Sequence, residues 1–473
     1  VQTAGARVTF RHRFDLDEGF DGGVLEVSSP NINAGAFTDV TNAAVGGSFL
    51  EGGYSTTLAT GFGNPIGGRS AWTGTTFAEI TTVVDLGSSV AGHTIQLRWR
   101  MATDSSFGGG GWWIDSISVV DGFACCALPA FVGEPMSVDG HSATGTSSDV
   151  DGVLQPGESV LVSPAWRKTG GGSTALTGSA SALGGPAGAT YTIGDAAADY
   201  GMVGGATSDC FSATGDCYRM TISNPASRPA THWDATFQET LSAGPVKTWT
   251  LHVGGSFTDV QGSQPFYRKI ETLFHSGITS GCGPSTYCPS DSVSRAQMAI
   301  FLAKGIAGSG AAVPAGGTLG GSPYFCGTGG VSLFTDVTPT DVFCKHVHFI
   351  AIQNVTQGCA ASQYCPSDGV NRAAMAAFIA RAILAPGGAS SVPRSYGPDP
   401  VTGLSFDCDP GSPDIHFTDV PAGDPFCSSV HFLWARGIIA GCSATQYCPA
   451  LPVTRDQMAK FLSNAFGLQL YGP

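Results

Sequence analysis

The sequence predicts a multidomain fold, β then α, in which two β-sandwich domains precede a pseudo-threefold bundle of helices. Glycine supplies 67 of the 473 residues without a three-residue period, which favours many short strands joined by tight turns. A motif that begins Phe-Thr-Asp-Val occurs three times in the second half of the chain. The 14 cysteines fall mostly in pairs with repeated spacing, which indicates disulfides and an oxidising, extracellular compartment.

The first domain, residues 1–122, alternates apolar and polar residues along segments bounded by glycine, as half-buried strands do. Examples are Val8–Phe14, Ile80–Val84 and Ile95–Arg100. The series from Phe20-Asp-Gly-Gly to Trp112-Trp-Ile-Asp resembles the jelly-roll, MAM-like β-sandwich of secreted bacterial proteases and surface proteins. The resemblance implies a fold of two packed antiparallel sheets.

In such domains at least one more strand normally precedes the strand at Val8–Phe14, so the resemblance implies an N-terminally incomplete domain. The chain has no initial Met, and we expect it to be a processed chain or a fragment. Alternatively, a strand from another chain completes the sheet, because a bare edge readily pairs with other strands.

The second domain, residues 123–256, begins near Leu128-Pro129 and also has a β pattern. The segment Asp149–Glu158, followed by Val160-Leu-Val, resembles the opening of Ig-like β-sandwich modules of bacterial surface proteins. We predict that Cys210 and Cys217 pair across a turn. The adjacent Cys125 and Cys126 can bond to each other, to Cys210 and Cys217, or to another chain, and the sequence does not decide among these.

Two groups of acidic residues are candidate calcium ligands, because hard oxygen ligands in Gly-rich loops suit Ca²⁺. The candidates in the first domain are Asp17, Glu18, Asp21 and Asp115. Those in the second domain are Asp149, Asp151 and Glu158, whose spacing does not complete the EF-hand pattern. The alternative in both places is an acidic turn exposed to solvent. Calcium is the one cofactor that the sequence suggests.

The third domain, residues 257–473, contains the three repeats, at about 257–310, 334–385 and 417–468. From the Asp of each Phe-Thr-Asp-Val, two cysteines, an Arg and a Met follow at the same offsets in every copy. Each copy reads as helix–loop–helix, with glycine stops at Gly277 and Gly437. Capping boxes are predicted at Ser294–Gln297 and Thr454–Gln457. One such hairpin cannot bury its apolar face, so three should pack together.

The motif, with its Tyr-Cys-Pro turn and its Ser/Thr/Asn-Arg helix start, resembles the S-layer homology (SLH) repeat. In that family three copies form a pseudo-threefold bundle whose grooves bind anionic cell-wall polysaccharide through an Arg. The matching positions here are Arg295, Arg372 and Arg455. A guanidinium beside free helix N–H groups suits a carboxylate. The alternative is that each Arg is structural, and the Asp of each motif is expected to cap the first helix.

Cysteines of the repeats are predicted to form five disulfides. Each copy closes a short loop, giving the pairs Cys282–Cys288, Cys359–Cys365 and Cys442–Cys448. Copies two and three have two further cysteines that are absent together from copy one, which predicts Cys326–Cys344 and Cys408–Cys427. Zinc is the rival interpretation, but the spacing lacks paired His at a fixed offset, and His346 and His348 are assigned to one copy only.

Charge and motifs exclude several classes of function. The net charge is −14 and no basic run is present, so nucleic acid is not an expected partner. No apolar run reaches the length of a membrane span. The sequence has no H-E-x-x-H, G-x-S-x-G, P-loop or dinucleotide-binding fingerprint, so we predict that the chain is not an enzyme.

Three functions remain. The first is a secreted, non-catalytic structural protein of a bacterial cell surface, self-assembling or anchored by its SLH bundle to anionic cell-wall polysaccharide. The second is a subunit of an extracellular filament or sheet, with other copies of the chain as partners and a neighbour's strand beside Val8–Phe14. The third is the non-catalytic C-terminal part of a secreted protease.

Overall fold

The protein is described by a computed structural model that covers residues 1, 5–76, 79–105, 109–120, 130–169, 171–230 and 232–472. The chain divides into two compact units, Val1–Ala127 and Leu128–Pro473. The predicted boundary between residues 256 and 257 therefore falls inside the second unit. Cys125 and Cys126 lie outside the described residues.

The described part of the first unit consists of strands and two 3₁₀ turns, Asn33–Gly35 and Ser88–Val90. Its strands are β1 (Arg7–Asp15), β2 (Gly22–Ser28), β3 (Thr38–Asp39), β4 (Ser48–Glu51), β5 (Thr56–Thr57), β6 (Ser70–Ala71), β7 (Ile80–Asp85), β8 (Gln96–Ala102) and β9 (Gly111–Val120). They form sheets of order β4-β7-β1-β9 and β3-β2-β8, and the pair β5-β6.

One core joins the two larger sheets of this unit. Alternate residues of β1 are buried, as the sequence pattern predicts, and Phe10 packs edge-on against Trp72 and Trp99. Leu25 and Val27 of β2 belong to the same apolar cluster. The core thus combines side chains from both sheets.

The expected open edge beside Val8–Phe14 is wrong. Strand β1 pairs with β7 on one side and with β9 on the other, so its backbone hydrogen bonds are made within the chain. The strands at the margins of this sheet are β4 and β9. The sequence pattern located β1 correctly but carried no information about which strands would be its neighbours.

The second unit begins with another β-rich region and one short helix, α1 (Cys210–Ala213). Its strands are β10 (Phe131–Val138), β11 (Ser159–Lys168), β12 (Thr174–Gly184), β13 (Tyr191–Asp195), β14 (Ala197–Val203), β15 (Ser208–Asp209), β16 (Tyr218–Ile222), β17 (Asp234–Leu241) and β18 (Val246–His252). One sheet has the order β10-β11-β16-β13, with β15 added to β11, and the other β14-β12-β17-β18.

Six longer helices follow among the described residues of the same unit. They are α2 (Tyr267–His275), α3 (Arg295–Ala307), α4 (Cys344–Ile352), α5 (Arg372–Ile383), α6 (Cys427–Ala435) and α7 (Arg455–Ala465). The connecting segments contain the strands β19 (Gly316–Leu319), β20 (Ser322–Phe325), β21 (Ser395–Tyr396) and β22 (Phe406–Asp407), and the 3₁₀ turn Gly388–Ser391. Helix α3 packs against α4, α5 against α6, and α7 against α2. The second helix of each repeat therefore contacts the first helix of the next, and the third repeat returns to the first.

The two predicted glycine stops and one of the two predicted capping boxes are confirmed. Gly277 and Gly437 have φ of 68° just beyond α2 and α6, a left-handed conformation that favours glycine. The capping box Ser294–Gln297 is present at α3. The box predicted at Thr454 is wrong, because the Thr454 hydroxyl donates to the Asp456 carboxylate, which also accepts the backbone N–H that the cap would bind.

The β-rich region and the helices of the second unit share a buried boundary. The backbone N–H of Met136 donates to the Tyr471 carbonyl (2.9 Å), and that of Leu154 donates to the Tyr471 hydroxyl (3.0 Å). The Tyr267 hydroxyl of α2 accepts the N–H of Gly255 at 2.8 Å. These contacts explain why the two regions form one compact unit.

Candidate functional site

The three candidate arginines are the first residues of α3, α5 and α7, and each contacts the next repeat. The Nε–H of Arg295 donates to the carbonyl of Tyr364 (2.7 Å), and that of Arg372 to the carbonyl of Tyr447 (2.7 Å). Arg455 completes the cycle by donating to the carbonyl of Tyr287 at 2.6 Å. Each repeat is therefore joined to the next, and the third to the first, by the same bond.

The tyrosines of these pairs return a second bond. The hydroxyls of Tyr364, Tyr447 and Tyr287 donate to the carbonyls of Arg295, Arg372 and Arg455 at 2.7, 2.9 and 2.8 Å. Each guanidinium also lies over the ring of its tyrosine, 4.5–4.8 Å from the centroid. We call each of these reciprocal Arg–Tyr contacts a clasp. The clasps give the arginines a structural role that is independent of any ligand.

Burial differs among the clasp arginines. Arg455 is 2% exposed, and burial lowers the pKa of its guanidinium. Arg372 is 7% exposed, and its Nη2 donates to the Ala440 carbonyl at 2.8 Å. The Nη2 atoms of Arg295 and Arg455 are buried without a hydrogen-bond partner. An anion has therefore little access to Arg455, while Arg372 reaches the wall of a cavity.

That cavity, of about 230 Å³, lies where all three repeats meet. Its lining residues are Phe266, Arg372, Ala440, Gly441, Cys442, Leu451, Pro452, Gln457, Lys460 and Phe461. It combines two cations, Arg372 and Lys460, with the aromatic rings of Phe266 and Phe461. Such a mixture suits a ligand that has both carboxylate groups and the apolar face of a ring.

Lys460 was not singled out from the sequence. At its offset the first two copies have Ile300 and Ala377, so the position does not belong to the repeated motif. A search for polar residues that break the apolar stripe of one copy would have found it. The ammonium group lies 5.8 Å from the centroid of the Phe266 ring, so it is held near the cavity by an aromatic neighbour.

The aspartates of the repeated motif do not cap the first helix, and that expectation is wrong. The Asp259 carboxylate accepts the backbone N–H groups of Tyr287 (2.8 Å) and Cys288 (2.7 Å). Asp336 and Asp419 accept the equivalent bonds in copies two and three. The turn residue Cys288 has a φ of 57°, which turns these N–H groups toward the carboxylate. The aspartates thus fix the turn that contains the clasp tyrosine.

All six predicted disulfides are confirmed. They are Cys210–Cys217, Cys282–Cys288, Cys326–Cys344, Cys359–Cys365, Cys408–Cys427 and Cys442–Cys448. The assignment of His348 to one copy only is wrong, because His431 has the same offset in copy three, and Glu271 has it in copy one. The Nε2 atoms of His348 and His431 accept the backbone N–H groups of Leu333 and Phe417. His348 therefore anchors the residue before the motif of copy two, and His431 anchors the first motif residue of copy three.

The calcium candidates of the first unit are only partly brought together. Asp17 and Asp21 lie in the turn after β1, and the Asp17 carbonyl accepts the N–H of Asp21 at 2.9 Å. Asp21 is fully buried, its Oδ2 has no hydrogen-bond partner, and burial raises the pKa of its carboxyl. Asp115 on β9 is the cross-strand partner of Arg11. Arg11 lies four residues, or about 13 Å, before the end of β1, where this turn begins. The register separates Asp115 from the other candidates, while Glu18 remains beside Asp17 in the turn.

The candidates of the second unit do converge. The N–H of Asp149 donates to Glu158 Oε1 at 3.4 Å, and the N–H of Asp151 donates to Asp139 Oδ2 at 3.1 Å. The fully buried Asp139 was not singled out from the sequence, because it lies in a different segment. Burial and the neighbouring carboxylates raise the pKa values of Asp151 and Glu158 to about 7. Four carboxyl groups are thus gathered in this acidic loop, as a hard cation requires.

The helical repeats contact one another in a closed cycle and follow the β-rich regions in the sequence. Disulfides hold their loops. These features define a modular protein suited to an oxidising environment. The S-layer homology domain model matches residues 256–299 and 416–459, which are copies one and three. These matches support SLH repeats in the C-terminal part of the chain. Such repeats indicate a bacterial cell-surface protein anchored to the cell wall, and they typically bind cell-wall polysaccharide.

Comparison with curated proteins finds no significant match. Among the helices that the structure describes, none has the length and apolar composition required to cross a membrane. The jelly-roll, MAM-like and Ig-like resemblances of the β-rich regions stay predictions.

Proposed function

We propose that the chain is a non-catalytic structural protein of the cell surface and that its helical repeats bind an anionic cell-wall polysaccharide in the cavity beside Arg372 and Lys460. The observation that carries the proposal is the position of this cavity. It joins two cations and two aromatic rings, and its lining comes from all three copies. The clasps hold Arg372 in place before any ligand arrives, which reduces the entropy lost on binding.

The test changes Lys460 rather than Arg372, because Arg372 also forms a clasp. We expect Lys460→Glu to weaken co-sedimentation of the full chain with bacterial cell-wall polysaccharide at least tenfold, since it replaces attraction by repulsion. Reducing the carboxyl groups of the polysaccharide should have a similar effect on the unaltered chain.

Lys304→Glu is the matched control. It makes the same charge change on α3. The Lys304 ammonium donates to the carbonyl of Gly277, which follows the C-terminal end of α2, whereas Phe266 of the cavity precedes the N-terminal end of that helix. Equal binding by the two variants would exclude this cavity as the contact. Failure of the unaltered chain to bind any carboxylated wall polysaccharide would reject anchoring altogether.

Self-association is a second candidate function, and it is favoured by the exposed apolar residues of the edge strand β9. This ten-residue strand lies at the margin of its sheet, and Ile117, Val119 and Val120 on it are 51, 48 and 44% exposed. An exposed apolar edge strand is a template for pairing with a second copy of the chain. Filament formation would then use β9 and not the edge of β1. The proposal of a protease tail has no comparable support among the described residues.

A further inference from the structure

Three histidines and an aspartate converge at the boundary between the β-rich region and the first repeat. His232 lies two residues before Asp234, the first residue of β17, and the two side chains are in contact. His252 on β18 is the direct cross-strand partner of Asp234. His275 is the last residue of α2 and approaches from the helical side. We call this group the histidine–aspartate cluster.

The nitrogen atoms of the cluster all face one carboxylate. His232 Nε2 lies 2.8 Å from Asp234 Oδ2, and His252 Nδ1 lies 3.2 Å from Asp234 Oδ1. His275 Nδ1 lies 3.5 Å from the same Oδ1, is buried, and has no hydrogen-bond partner. One possible ligand atom from each of the four residues lies within 4.8 Å of the others. In a tetrahedral site with metal–nitrogen distances of 2.0–2.1 Å the ligand atoms are about 3.3 Å apart, so small side-chain rotations suffice.

A second group of residues sets the orientation of His252. Its Nε2 lies 2.7 Å from Glu271 Oε2, and both residues are fully buried. The backbone N–H and the hydroxyl of Ser256 also donate to Glu271, at 2.9 and 2.7 Å. Glu271 therefore accepts the Nε2 proton of His252 and leaves Nδ1 directed at Asp234, where it carries either a second proton or a lone pair for a metal ion. A carboxylate behind a histidine is the usual support of a metal-binding imidazole.

A positive charge, either a proton or a metal ion, is needed between these nitrogen atoms and the Asp234 carboxylate. With its proton on Nε2, a neutral His252 presents a lone pair to the Asp234 carboxylate, which is unfavourable without a proton or a metal ion between them. His275 Nδ1, which faces the same carboxylate at 3.5 Å without a hydrogen bond, has the same requirement. The C-terminal end of α2 adds a partial negative charge beside His275.

We propose that His232, Asp234, His252 and His275 bind a divalent first-row transition metal ion, with Zn²⁺ as the best fit. Three imidazoles and one carboxylate are nitrogen-rich ligands that suit zinc, whereas calcium requires oxygen ligands. His232 is exposed, which gives the ion a route from solvent. The ion ties the β-rich region to the first helical repeat, a role separate from glycan binding.

The test is titration of the chelator-treated full chain with Zn²⁺, in buffer that contains millimolar Ca²⁺ to occupy the oxygen-rich loops. We expect one Zn²⁺ per chain and a higher melting temperature of the second unit. Co²⁺ in place of Zn²⁺ should give the visible absorption bands of a four-coordinate ion. His232→Ala removes an exposed ligand without disturbing the core, and it should weaken binding at least tenfold and alter the Co²⁺ bands.

Two further variants sharpen the result. Glu271→Gln should lower the affinity by about 10–100-fold, as changes behind a ligand usually do. His141→Ala, which alters an exposed histidine of the same unit that stacks on Phe211, should change nothing. Absence of stoichiometric Zn²⁺ uptake by the unaltered chain, or equal uptake by the His232 and His141 variants, would overturn the proposal.

Discussion

His12 shows how a single buried residue can make stability depend on pH. It is 1% exposed in the first unit, where its Nε2 bonds to the Thr82 hydroxyl (2.8 Å) and its Nδ1 accepts the Trp112 indole N–H (3.0 Å). Burial lowers the pKa of His12 to about 4. The imidazole is thus neutral in the folded state, and its single ring proton lies on Nε2, which faces the Thr82 hydroxyl.

The expected consequence is a loss of stability in acid. Between pH 6.5 and about 4 the unfolded chain binds a proton at His12 that the folded chain does not, so the free energy of unfolding falls as the pH falls, by at most about 3 kcal/mol. His12→Gln should reduce this dependence, because Gln can bond to both partners without titrating. Calorimetry of the first-unit transition measures the effect, with the exposed His93→Gln as the control. An unchanged pH profile in His12→Gln would contradict the assignment.

The sequence pattern does not identify residues whose partners lie far away along the chain. Glu239 is fully buried and accepts the hydroxyls of Tyr200 and Tyr218 at Oε1 and the indole N–H groups of Trp166 and Trp249 at Oε2. On β17 it interrupts the inward-facing apolar register of Ala235, Phe237 and Leu241, and its four donors come from four other strands, which the pattern of β17 does not predict. By contrast, the short disulfides were predictable, because both cysteines of each pair lie in one loop.

At the scale of elements, the three clasps show what a repeat pattern can and cannot predict. Equal offsets identify Arg295, Arg372 and Arg455 as equivalent, and local capping signals predict where their helices begin. The offsets do not predict the partners, because each guanidinium binds a tyrosine of a different repeat, as Arg295 does with Tyr364. Equivalence within the sequence therefore located the residues, while only the packing of one repeat on the next revealed their role.

The exposed margin of β9 leads to a prediction about assembly. Val119→Lys places a charge on the apolar edge and should reduce self-association of the full chain, because a buried lysine would lose its hydration. Light scattering across a concentration series measures the mass. Val246→Lys is the control, since Val246 lies on β18, the edge strand of a sheet in the second unit, and is 60% exposed. A chain that is monomeric at all concentrations, or an equal loss in both variants, would count against pairing through β9.

At the scale of the whole molecule, the second unit depends on how its β-rich region meets the first repeat. The acidic loop lies against the start of that repeat, since a Cβ at residue 262 would come within 2.4 Å of Asp151 Oδ2 and 3.0 Å of Asp149 Oδ2. Gly262 thus permits a close approach of backbone to carboxylates. The predicted calcium site and the boundary between the two regions are therefore the same place.

Calcium should consequently stabilise the whole second unit. Burial and carboxylate repulsion raise the folded pKa values of Asp151 and Glu158 to about 7, above their unfolded values near 4. Without calcium the folded chain binds more protons in this range, so its stability falls as the pH rises from about 4 to about 7. Calcium neutralises the same charges, and it should raise the melting temperature of the second unit most at and above pH 7.

The variant Asp151→Asn separates this explanation from a general effect of salt. It should stabilise the calcium-free chain by removing one repelling charge, and it should largely abolish the response to calcium. Asp216→Asn, which alters an exposed residue of the same unit, should respond as the unaltered chain does. Scanning calorimetry with EGTA or with calcium at two pH values measures all three proteins. If calcium shifts the Asp151 variant as far as the unaltered chain, the four carboxylates are a proton-binding loop and the ion acts elsewhere.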